Sequence, residues 1–116
     1  MIRKTGKHPC DRRSTKTELK ALFEFVDFDG IADEVDPLYY NYPVSREPVE
    51  HVHKRGESFL RWLKEREESE IIMVSHHAFL FRLFTGVIEI DPPVEGESEH
   101  FSNCEMRTYA LDLSNF

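Results

Sequence analysis

The stretch "EIIMVSHHAFLFRLFTG", residues 70–86, constrains this chain more than any other. Ile71, Ile72, Met73 and Val74 form a short apolar run rich in β-branched side chains, the pattern of a strand buried on both faces in a parallel sheet. Ser75, His76 and His77 follow as a turn, and "AFLFRLFTG" then reads as a short helix closed at its C-terminal end by Gly86. Strand, turn and helix in that order put the turn at the carboxyl end of a parallel strand. Open α/β sheets bind ligands there, and the helix that follows offers unpaired N–H groups to an anion. The two histidines are therefore expected at the mouth of a site, where an imidazole can donate hydrogen bonds to a phosphoryl oxygen or act as nucleophile or general acid–base.

The rest of the chain supports a single α/β domain over residues 1–116, long enough for a core of its own. Ser14, Thr15 and Thr17 are cap-type residues before "ELKALFE", which predicts a short helix within 14–24. Residues 25–48 hold prolines, a glycine, acids and three tyrosines, and read as a long irregular segment, a candidate lid. From Pro48 the apolar positions Val49, Val52, Gly56, Phe59, Leu60 and Leu63 recur at helical spacing, the clearest helix of the sequence. Gly56 lies on that apolar stripe, where the missing side chain lets another backbone approach. Residues 87–102 read as an acidic loop and "NCEMRTYALDL", 103–113, as a final strand.

Charge and composition exclude several classes. A net charge of −7 argues against nucleic acid as a partner, and no apolar run approaches the ~18 residues that span a bilayer. The first 20 residues nevertheless carry seven Lys/Arg against two acids, a local cationic segment suited to a small anion. Cys10 and Cys104 are two thiols far apart in sequence, which fits a reduced pair in a cytoplasmic protein better than a disulfide framework. His51 and His53 are two residues apart on the predicted helix, about 200° around it, so they cannot grip one ion together. Neither a Gly-rich nucleotide loop, nor a nucleophile elbow, nor Cys-x-x-Cys is present, and no metal or cofactor is predicted.

Five blocks in register carry a family likeness: "GKHPCDRRS" (6–14), "LFEFVDF" (22–28), "SRE" (45–47), "KRGESFLRWLKEREESEIIMVSHHAFLF" (54–81) and "FSNCEMRTYAL" (101–111). Together they resemble the C-terminal half of a phosphoglycerate-mutase-like member of the histidine phosphatase superfamily. The resemblance implies a three-layer α/β/α fold in which a phosphoryl group is held by two histidines, two arginines and an acid. It also implies a small phosphorylated substrate or inorganic phosphate as the partner. His76 falls on the position of the second histidine, which hydrogen-bonds the phosphoryl group through the transfer. His77 replaces a usually small residue, narrowing the pocket or adding a donor. Arg12 and Arg13 fall where relatives turn cations toward substrate, Arg13 the better match to the Cys-Asp-x-Arg pattern, and a planar guanidinium suits phosphate. For Asn103, Cys104, Glu105 and Arg107 the match is positional, and a structural role is expected.

The sequence departs from that family in two places. It contains no Arg-His-Gly, the motif that carries the phosphorylated histidine, and the positions expected of the general acid hold Arg3 and Lys4. An incomplete three-layer fold lacking its first central strand follows, with strands 70–74 and 106–112 deprived of their middle partner. Two functions remain open on the sequence. One is a portion of a longer phosphatase or mutase, inactive alone, and the other a non-catalytic anion-binding or interaction module; the preserved register into the final strand favours the first.

Overall fold

The computed structural model describes residues 9–42, 45–91 and 100–116, and these fall into two compact units, the second beginning at Pro48. Among the described residues the regular structure is entirely helical: a 3₁₀ turn at Pro9–Asp11, then α1 (Lys16–Leu22), α2 (Pro37–Asn41), α3 (Val49–Lys64) and α4 (His77–Gly86).

In the first unit, polar side chains organise the backbone. Thr15 caps α1 and forms a capping box with Glu18: the Thr15 hydroxyl accepts from the Glu18 amide, and the Glu18 carboxylate accepts from the Thr15 amide at 2.9 Å. Asp36 caps α2 by accepting from the amide of Tyr39 at 3.2 Å, and its other oxygen accepts from the amide of Arg13 at 3.0 Å. This carboxylate is buried, and two backbone donors compensate its lost hydration. The Arg13 guanidinium donates to the carbonyls of Ser14, Asp33, Glu34 and Val35 at 2.8, 2.9, 3.3 and 2.7 Å. Apolar burial among the described residues of this unit is confined to Leu19 and Phe28, while Leu22 and Phe25 stay exposed.

The second unit is held by apolar packing. Val52, Gly56 and Leu60 lie four residues apart on one face of α3 and are buried with Phe79 and Leu83 of α4. Phe59, Leu63, Met73, Phe84, Val87 and Ile88 pack around that centre, with Leu113 and Phe116 from the C-terminal segment. Gly56 does what its place on the stripe implied: a Cβ there would stand 3.0 Å from Leu83 Cδ1 and 3.2 Å from Val87 Cγ2, so the two helices approach over a bare backbone. Gly86 is the last residue of α4, with Val87 as the C-cap, and its bareness accommodates the ring of His53, which a Cβ would strike.

Among the described residues the expected α/β sheet is not formed, and the three-layer α/β/α architecture is overturned. Neither 70–74 nor 106–112 is a strand, and no backbone hydrogen bond reaches residues 71–75 among the described residues. The physical reason is that a strand exists through its ladder, and neither segment finds a partner strand. The apolar run is accordingly covered on one side only. Met73 joins the helical core, whereas Ile72 and Val74 are 88% and 85% exposed and Met106 is 85% exposed. The irregular segment foreseen from residue 25 contains the one-turn helix α2. Among the described residues, no helix is long and apolar enough to cross a membrane.

Candidate functional site

A groove of about 1000 Å³ runs through the second unit, lined from one part of the chain by 71–77 and from another by 101–107 and 109–111, with α3 and α4 as its floor. Its polar lining includes Ser75, His76, His77, Ser102, Cys104 and Arg107.

His76 is the N-cap of α4. Its backbone is extended (φ −111°, ψ 148°), and its carbonyl accepts the amides of Phe79 and Leu80, each at 3.0 Å, which anchors the main chain in the first helical turn. The side chain makes no cap hydrogen bond and is exposed beside the groove. The amides of His77 and Ala78, first and second in the helix, have no hydrogen-bond partner among the described residues, as the opening of an α-helix dictates. The Ser75 hydroxyl, one residue earlier, is buried without a partner among the described residues. An orphaned buried hydroxyl is costly and is ordinarily relieved by a ligand or water.

His77 does something different from its neighbour. Its Nδ1 lies 2.9 Å from the carbonyl oxygen of Phe101, and its Nε2 lies 3.3 Å from Nδ1 of His100. Arg107 closes the same segment on itself. Its Nε pairs with Glu105 at 2.6 Å, its terminal nitrogen donates to the His100 carbonyl at 2.7 Å, and its guanidinium carbon lies 4.0 Å from the centre of the Phe101 ring. The Arg107 hydrogen bond, with the Ser102 amide, holds the Glu105 carboxyl below its usual range, so this cation stands beside a firmly ionised carboxylate. Cys104 adopts φ 59°, the left-handed conformation that turns the chain between Ser102 and Glu105.

Arg12 and Arg13 belong to the first unit. Arg12 is exposed and its charge acts on Glu18, while the Arg13 guanidinium is engaged by the four carbonyls already described. His76 and His77 are thus brought together on one helix terminus, and the arginines on one loop. His100 escaped the sequence reading because it lies in a stretch whose dominant signal is acidic; only its nearness to the "FSNCE" block pointed to it. Among the described residues, no three His, Cys, Asp or Glu side chains gather into a metal-binding group.

Comparison with known proteins gives these residues a lineage. Three curated proteins of Arabidopsis thaliana match over 108 residues, 91% of this chain: Phosphoglycerate mutase-like protein at 43% identity, and Phosphoglycerate mutase-like proteins 1 and 2, each at 40%. The chain spans 31–39% of the length of these relatives. No protein-family model matches the sequence, and no solved structure matches the chain. At this identity over nearly its whole length, the chain is similar to part of these phosphoglycerate mutase-like proteins.

Proposed function

We propose that this chain supplies the imidazole half of a phosphoryl-transfer site that acts on small phosphomonoesters in the manner of the histidine phosphatases. The observation that carries the reading is His76 at the N-cap of α4, exposed beside the groove, with the amides of His77 and Ala78 behind it. An imidazole and helix N-terminal amides at one point are donors suited to a phosphoryl oxygen, and the helix dipole adds attraction for negative charge. The Ser75 hydroxyl, without a partner among the described residues, is a further donor in the same turn.

In this reading His76 binds and orients the phosphoryl group and stabilises its charge during transfer. The phosphorylated histidine of the family's Arg-His-Gly motif is not among these 116 residues, so no covalent step is assigned to them. Within the first unit by itself, Arg12 is the exposed arginine we propose as an anion contact, since Arg13 already holds four carbonyls. The acidic excess of the chain disfavours highly charged anions and favours a small monoester. The compartment we propose is the cytoplasm, in keeping with exposed thiols at Cys10 and Cys104.

The test is a thermal-unfolding series in millimolar inorganic phosphate at constant ionic strength. A ligand that binds only the folded chain raises the midpoint, and His76→Ala is expected to abolish the rise. A midpoint that phosphate does not move, or that moves equally in His76→Ala, overturns the reading.

A further inference from the structure

His77 is adjacent to the proposed phosphoryl-binding ring, but both of its ring nitrogens are occupied by protein. A carbonyl oxygen can only accept, so the 2.9 Å contact with Phe101 requires the proton to be on Nδ1. That choice leaves Nε2 bare in the neutral ring, where it accepts from the Nδ1–H of His100 at 3.3 Å. The two imidazole planes lie within 9° of each other, and the ring of Phe81, one turn along α4, lies parallel to His100 with centroids 4.8 Å apart. Arg107 ties the other end of the segment through the His100 carbonyl and Glu105, and the second Glu105 oxygen takes the Ser102 amide. Residues 100–107 are therefore latched to the start of α4 through one imidazole and folded back on themselves through one guanidinium. Phe101, Ser102, Asn103 and Cys104 line the groove together with His76.

We infer that His77 is a positioning residue, not a ligand: it holds the 101–104 rim against the start of α4 and so sets the opening through which an anion reaches His76. His100 is its partner in the latch. The inference rests on the phosphoryl-site reading for the ligand, but the latch itself stands on the contacts alone. A side chain with no ring nitrogen to spare has no donor to offer a phosphoryl oxygen without giving up Phe101 or His100. Its effect on binding must then pass through the rim it holds.

The experiment uses the full 116-residue chain, ¹⁵N-labelled, with inorganic phosphate as the probe. His77→Ala deletes the latch. The hydrogen-bonded amides of Ser102 and Glu105 are expected to exchange about tenfold faster, and phosphate affinity to fall about fivefold. His77→Asn keeps an N–H close to the position of Nδ1, so both the protection and the affinity should return toward wild type. A direct ligand would give the opposite split, with protection restored in the Asn variant while affinity stays as poor as in the Ala variant; that result overturns the inference. Unchanged exchange in His77→Ala overturns it as well. Should wild-type chain bind no phosphate, the phosphoryl-site reading fails, and the exchange data alone decide whether the latch exists.

Discussion

The two units of this chain are held by different forces. In the first, a single guanidinium gathers four carbonyls, a buried carboxylate gathers two amides, and a capping box opens the one longer helix. In the second, α3 and α4 meet through Val52, Leu60, Phe79 and Leu83 over the bare backbone of Gly56. Polar networks are directional and depend on every member being present, whereas apolar packing is additive in area and sensitive to volume. The units should therefore fail to different insults.

The largest effect is expected at the apolar centre. Phe79→Ala, at a side chain only 1% exposed, should destabilise the second unit by about 3–5 kcal/mol, read by denaturant unfolding with amide exchange on α3 and α4. A loss below about 1 kcal/mol would mean that this unit is not held by packing.

In the first unit the corresponding residue is Arg13. Arg13→Ala should cost about 1–3 kcal/mol, because carbonyls of a tight loop lose their donors. Arg13→Lys should recover little of it, since one ammonium cannot reproduce the planar fork. Recovery by Lys would show that charge alone, not hydrogen-bond geometry, organises the loop.

Gly56→Ala sharpens the contrast from the other side. The added methyl meets Leu83 and Val87 at 3.0 and 3.2 Å, an overpacking cost of about 1–3 kcal/mol against a helix-propensity gain of about 1 kcal/mol. A small net destabilisation is expected, and a stabilised variant would show that α3 and α4 have slack between them.

Acid should act on the first unit before it reaches the helical core of the second. Glu34 is held below its ordinary 4.5 chiefly by the Thr17 backbone amide, Glu18 chiefly by the Thr15 amide, and Asp29 below its ordinary 3.8 chiefly by the Lys20 hydrogen bond. A carboxyl whose folded pKa is lowered contributes stability that is present above its ordinary pKa and lost as pH falls through the folded value. Amides of α1 and the 33–36 loop should therefore lose protection as pH drops below about 4.5, while amides in the middle of α3 hold. Simultaneous loss in α1 and in the middle of α3 would break the distinction.

How legible all this was follows the same division. The helix from Val49, the helix after His77, the Thr15 start of α1 and the purpose of Gly56 were readable because apolar periodicity and capping chemistry are local. The strands were misread for a definite reason. A β-branched apolar run states a readiness to pair but not that a partner exists, and here Ile72 and Val74 lie exposed without a ladder. The bonds that tie Arg13 and Asp36 across the loop were hidden because those partners lie 20–23 residues away and are backbone atoms, which leave no trace in residue type. The strand of the strand-turn-helix reading is not formed, and the position of His76 at the N-cap of α4 depends on the helix alone. The occupation of both His77 nitrogens was not legible in the sequence, because His100 reaches it from 23 residues away.

The central claim is that the His76 imidazole faces a phosphoryl-sized anion. The most direct measurement is a phosphate titration of the ¹⁵N-histidine-labelled chain, following the ring nitrogens of His76 with His51 and His53 as internal controls. The account predicts a saturable shift of the His76 ring and of the His77 and Ala78 amides with a common dissociation constant, while His51 and His53 stay still. A His76 ring that does not respond, or that only drifts in parallel with the two control histidines, would contradict it.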